Sequence, residues 1–68
     1  MRIKLNGKEE ELNEGSSVAA LLQKLGIRPE TVAVEVNLDI VSRDKRAEKI
    51  LKDGDEVEIV KFVGGGRA

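Results

Sequence analysis

The chain has 68 residues, with 12 basic and 13 acidic side chains and a net charge of −1. That length allows one domain near the lower limit for a self-sufficient core. The charge balance argues against a nucleic-acid binder, whose affinity would rest on a basic excess. No apolar run approaches the length of a membrane span. The opening Met1-Arg2-Ile3-Lys4-Leu5 has no signal-peptide hydrophobic region, so a cytoplasmic location is expected. There is no Cys and no His. Their joint absence removes the usual transition-metal ligands, the commonest general base and the most reactive nucleophile. Ser16, Ser17, Thr31 and Ser42 have no histidine to activate them, so the chain is not expected to be an enzyme or to hold a cofactor of its own.

In chain order, Arg2-Ile3-Lys4-Leu5 alternates polar and apolar, the period of a half-buried strand. Asn6-Gly7 is a strong hairpin-turn signal, because both residues tolerate positive φ. Lys8 to Leu12 is the returning strand, and Glu9, Glu10 and Glu11 suit an exposed edge better than a metal site. Asn13-Glu14-Gly15 is a turn, and Ser16-Ser17 offers helix N-caps. Val18, Leu21, Leu22 and Leu25 then form one apolar stripe at helical spacing, and Gly26 is a natural residue to follow the helix.

Ile27 to Thr31, with Pro29, reads as a connection. Val32-Ala33-Val34-Glu35-Val36 is a strand with its three valines on one face. Asn37-Leu38-Asp39 turns the chain into a short strand at Ile40-Val41. Ser42 to Lys49 is strongly charged and reads as a solvated connection, a loop or a short helical turn, with Ile50 and Leu51 packing beneath it. Lys52-Asp53-Gly54-Asp55 is a turn; it lacks the remaining ligands of a calcium loop.

Glu56 to Phe62 is the last strand. Val57 and Ile59 face the core, which places Val60 and Phe62 on the opposite, open face. An exposed apolar pair rimmed by charge marks a partner surface; the alternative is that the strand twists and Phe62 caps the core edge. Val63-Gly64-Gly65-Gly66-Arg67-Ala68 comes next. Three glycines contribute no packed side chain and are entropically costly to fix. Residues 63–68 are therefore expected to form an arm outside a domain of residues 1–62. From Val63 to Gly66 it reaches roughly 13 Å at about 3.3 Å per residue. A frayed terminus is the plain reading; an arm handled by another protein's active site is the sharper one. A phosphate-binding reading of the glycines fails, since no Lys-Ser/Thr comes after them.

The element order predicts an α+β domain, a ubiquitin-like β-grasp. It has a mixed sheet of four to five strands with one main helix packed on one face. The first and last strands are then central and parallel. The expected core is Ile3, Leu5, Val18, Leu21, Leu22, Leu25, Val34, Val36, Val57 and Ile59.

These elements resemble the ThiS family of sulfur-carrier proteins, within the ThiS/MoaD superfamily. The matching residues are Ile3-Lys4-Leu5-Asn6-Gly7, Val18-Ala19-Ala20-Leu21-Leu22, Val34-Glu35-Val36-Asn37, Ile40-Val41-Ser42-Arg43, Lys52-Asp53-Gly54-Asp55 and Val60-Lys61-Phe62-Val63-Gly64-Gly65-Gly66. The resemblance implies that a ThiF-like adenylating enzyme uses ATP to activate the carboxylate of Gly66. It implies conversion to a thiocarboxylate and transfer of the sulfur to a ThiG-like thiazole synthase for thiamin biosynthesis. Val60, Phe62, Val63, Gly64, Gly65 and Gly66 would be the residues that partners contact. Members of this family usually end at the glycines, whereas Gly66 is here amide-linked to Arg67. Either a processing protease removes Arg67-Ala68 or the two residues were added for expression. The extension also keeps open a carrier for cysteine, homocysteine or another sulfur metabolite, and a ubiquitin-like modifier or binding module.

Overall fold

Alternation and turn chemistry build the first hairpin. The computed structural model describes residues 1–62. Strand β1 (Arg2–Leu5) pairs antiparallel with β2 (Lys8–Glu11), Ile3 opposite Glu10 and Leu5 opposite Lys8. The turn between them places Asn6 at φ 49° and Gly7 at φ 84°, the left-handed conformations that an Asn-Gly pair adopts at low steric cost. Leu12 extends the pairing by donating its N–H to Met1 O at 2.9 Å.

Helix α1 (Val18–Lys24) starts where Ser17 caps it, the hydroxyl accepting the Ala20 N–H at 3.0 Å. The other free donors of the first turn are satisfied from across the chain. Val18 N–H donates to Lys49 O at 2.9 Å and Ala19 N–H to Arg46 O at 3.1 Å. No first-turn N–H is left without an acceptor. At the far end Gly26 takes φ 71°; its N–H donates to Gln23 O, and Ile27 N–H donates back to Leu22 O at 2.9 Å. This is a Schellman closure, and it requires the left-handed residue that glycine supplies.

A short 3-10 turn (Pro29–Thr31) leads into β3 (Val32–Val36), and β4 (Asp39–Ile40) folds back on it. The intervening tight turn holds Asn37 and Leu38 at positive φ. A second 3-10 turn (Arg43–Lys45) precedes the loop to β5 (Glu56–Lys61). The sheet order is β2-β1-β5-β3-β4, with β5 parallel to β1 and antiparallel to β3. This is the expected β-grasp: five strands, one helix over one face, and the first and last strands at the centre.

The core lies between α1 and the sheet. Ile3, Val18, Leu21, Leu22, Val34, Val36 and Val57 are buried as predicted, joined by Leu12, Val32, Val41 and Leu51. Fully burying a side chain of this size stabilises by roughly 1.5–3 kcal/mol. Leu5, Leu25 and Ile59, also predicted core, are only partly buried and pack around its rim.

Two expectations for the 42–51 segment are corrected. Leu51 is buried but Ile50 is 46% exposed, because Ser17 pairs with Ile50 in an antiparallel bridge and Leu51 N–H donates to Ser16 O at 2.8 Å. Consecutive residues of an extended segment point to opposite sides, so only one of the pair reaches the core. The connection is also not wholly solvated: Arg46 is 5% exposed. Its Nη1 donates to Pro29 O and its Nη2 to Val32 O, both at 2.8 Å. The guanidinium ties the second 3-10 turn to the first. The short strand also lies one residue earlier than predicted, at Asp39–Ile40, and Val41 turns inward to the core.

Candidate functional site

The last strand is held on both edges almost to its end. On the β3 side, Val32 pairs with Lys61 and Ala33 with Val60, and Phe62 N–H continues the ladder to Thr31 O at 3.0 Å. On the other side β1 stops at Leu5, but Asn6 carries the pairing further with its side chain. Asn6 Oδ1 accepts the Ile59 N–H at 2.8 Å, and Nδ2 donates to Ile59 O at 3.2 Å. The amide thus imitates one more peptide unit of β1. It fixes β5 two residues before Lys61, close to where residues 63–66 begin.

Val60 and Phe62 lie on the sheet face away from the helix and are 57% and 60% exposed. The reading in which Phe62 caps the core edge does not hold. Alternation along β5 forces this outcome: Val57 is buried beneath the helix, so Val60 falls on the other face. Ile40, opposite Glu35 on the same open face, is also exposed. Val63, Gly64, Gly65 and Gly66, the other predicted contact residues, and the arm of residues 63–68 lie outside the described residues.

The charge on this face is lopsided. Arg2 bridges Glu9 at 2.9 Å and Glu11 at 3.5 Å at one edge. Towards the middle, Glu56, Glu58 and Glu35 line up around β5, with Glu56 beside Lys4 of β1 and Glu35 directly opposite Glu58. Among the described residues none of these three has a salt-bridge partner. Like charges directly opposite on one face destabilise a strand pair.

The aspartates of the Asp53-Gly54-Asp55 turn have structural partners. Asp53 Oδ1 accepts the Arg2 N–H at 2.8 Å, and Asp55 accepts from Lys52 N–H at 2.8 Å and Asn37 Nδ2 at 3.0 Å. Among the described residues no group of three or more His, Cys, Asp or Glu side chains is placed to hold a metal ion, and no helix is long and apolar enough to cross a membrane. Sequence reasoning missed Asn6 as an anchor of β5, since its turn role alone explained it. It also missed Arg46, which looked like one more charge in a charged run.

The family model of the ThiS family matches residues 2–66, nearly the whole chain and all three glycines. The chain belongs to the ThiS family. It is 32% identical over 66 residues to the sulfur carrier protein ThiS of Escherichia coli, covering 97% of this chain and 100% of that one. It is 44% identical over 66 residues to a thiazole synthase of Paramagnetospirillum magneticum, where it spans 97% of its own length but 20% of the relative's. The crystal structure of a thiamine biosynthesis protein (ThiS) from Geobacter metallireducens superposes with a TM-score of 0.85 at 36% identity, covering 97% of this chain and 100% of that one. ThiS membership accounts for the sheet order.

Proposed function

We propose that this chain is a sulfur carrier for thiazole formation in thiamin biosynthesis, acting as the substrate of other enzymes and not as an enzyme itself. The observation that carries the reading is the ThiS-family match through Gly66, with the glycines placed after β5. The relative named a thiazole synthase, one stretch of which matches this chain, supports a thiazole synthase as the acceptor enzyme.

The chemistry is set by what a carboxylate lacks. Its oxygen is a poor leaving group. A ThiF-like adenylating enzyme would supply ATP: the Gly66 carboxylate attacks the α-phosphorus, pyrophosphate departs, and an acyl-adenylate forms. Hydrosulfide delivered by a partner then displaces AMP, its S–H proton going to solvent, and the thiocarboxylate so formed passes its sulfur to a ThiG-like thiazole synthase. The chain needs no Cys, His or bound cofactor for this role. It needs a rigid handle and a stem without side chains, because a Cβ on residues 64–66 would widen whatever enters the partner's cleft. Val60 and Phe62 supply the handle's contact face. Because Gly66 is amide-linked to Arg67, its carboxylate becomes available only in a chain in which that bond is cleaved or absent.

The test compares chains of residues 1–66 and 1–68 with the cognate adenylating enzyme, ATP and a sulfur source. The short chain is expected to give ATP–pyrophosphate exchange and an intact mass with sulfur in place of one terminal oxygen. The long chain is expected to give neither until a protease is added. Equal activation of the long chain with Arg67 and Ala68 still attached would sink the mechanism.

A further inference from the structure

The helix side of the molecule carries a second feature that the carrier chemistry leaves unused. A cavity of about 450 Å³ opens between α1 and the two 3-10 turns. Its aliphatic surface comes from Ala19, Leu22, Ile27 and Pro29, and its polar wall from Arg43 and Arg46. Pockets of this size, largely apolar with a few convergent polar groups, are the usual form of a binding site.

The two arginines are the informative part. Arg46 is buried, yet neither it nor Arg43 has a carboxylate within salt-bridge distance among the described residues. Glu30 lies on the first 3-10 turn, but its carboxylate is held by Arg28 Nε at 3.0 Å. Arg46 spends its two terminal nitrogens on the carbonyls of Pro29 and Val32, and its Nε is buried with no hydrogen-bond partner among the described residues. Burial depresses the Arg46 guanidinium below the usual arginine range, and the positive charge of Arg43 pushes it the same way. A buried cation without a counter-ion, beside a second cation and an orphaned donor, is costly. A carboxylate entering beside Arg43 would supply a counter-ion for the buried guanidinium and offset the like charge of Arg43.

We propose that this cavity binds an acidic, aliphatic segment of a partner protein, its aliphatic side chain against Leu22 and Ile27 and its carboxylate at Arg43 and Arg46. Charge complementarity selects the carboxylate, and the apolar floor selects the neighbouring aliphatic group. The location selects a protein as its source. Arg46 grips the carbonyls on either side of Thr31, and Thr31 O receives the Phe62 N–H. A partner seated here holds the frame from which residues 63–66 depart, on the opposite side from Val60 and Phe62. This last step rests on the carrier reading; the binding chemistry does not.

The experiment is a nitrogen–proton NMR titration of the full chain with acetyl-Leu-Asp-Leu-Asp amide, with acetyl-Leu-Asn-Leu-Asn amide and with 4-methylpentanoate. The acidic peptide should shift the amides of Ala19, Leu22, Ile27 and Ala47 and the Nε–H of Arg46 in one saturable process. The neutral peptide should bind at least tenfold more weakly. Arg43→Glu removes the exposed cation, and Ala47→Phe fills the cavity from its exposed rim. Each should weaken the acidic peptide at least tenfold, with an unchanged thermal midpoint. Shifts elsewhere only, or equal binding to both variants, would overturn the site. Binding of 4-methylpentanoate as tight as that of the acidic peptide would overturn the choice of a protein segment. Thiocarboxylate formation by the unsubstituted chain is scored separately. That assay uses the chain of residues 1–66, and its failure alongside normal peptide binding strikes the carrier reading and leaves the site standing.

Discussion

At the scale of single residues, two side chains show how differently a position is fixed. Leu22 is 1% exposed and packs in the middle of the core. Leu22→Ala removes buried methyl groups and leaves a cavity, and should cost about 2–5 kcal/mol in urea unfolding, a large share of the stability of so small a domain. A loss at the level of a surface substitution would mean that the helix face is misassigned. Asn6 is exposed yet holds both backbone groups of Ile59. Asn6→Gly keeps the positive φ and removes only the amide. At about 0.5–1.5 kcal/mol per net hydrogen bond the loss should be about 1–3 kcal/mol. Amide exchange should accelerate at Ile59 and not at Val34, separating this effect from a general loosening.

At the scale of elements, what was legible in the sequence was what is local. The hairpin arises from Asn6-Gly7, and the helix from the stripe Val18, Leu21, Leu22 and Leu25 between Ser17 and Gly26. Each signal is a few residues long and is satisfied by its neighbours. The caps give a direct check. Ser17→Ala should cost roughly 1 kcal/mol. Gly26→Ala must place a Cβ at φ 71°, for about 1–2 kcal/mol. Both are readable from thermal or urea midpoints, and a neutral Gly26→Ala would refute the left-handed closure. The segment from Ser42 to Leu51 was less legible because its structure is set from outside. Its carbonyls of Arg46 and Lys49 cap a helix that begins at Val18, far earlier in the chain, and its one buried arginine is defined by carbonyls of Pro29 and Val32. Nothing in Arg43-Asp44-Lys45-Arg46 distinguishes the arginine that turns inward from the one that stays out. The face of Val60 and Phe62 could be read from alternation, a local property; the unpartnered Glu35–Glu58 contact could not, since it depends on the register between β3 and β5.

At the scale of the molecule, the two faces of the sheet serve different ends. One is covered by the helix and holds the fold together. The other keeps exposed Val60, Phe62 and Ile40 beside three acidic side chains with no salt-bridge partner among the described residues. The Glu35–Glu58 pair is unfavourable for the isolated domain, and a basic surface on a partner would turn that repulsion into attraction. Glu58→Lys should therefore raise stability by about 0.2–1 kcal/mol, the range for a cross-strand charge pair, and yet weaken docking to the adenylating enzyme. Phe62→Ala should behave differently. With its side chain outside the core, it should leave the unfolding midpoint unchanged. It should weaken the same docking by more than about 1 kcal/mol, as for an aromatic at the centre of an interface, roughly fivefold or more in Kd. Calorimetric titration of both variants against the adenylating enzyme, with midpoints measured in parallel, separates the two effects. If Phe62→Ala lowers the midpoint, the residue belongs to the fold. If neither variant alters docking, the enzyme approaches from another face, and the open side of the sheet loses its role as the handle.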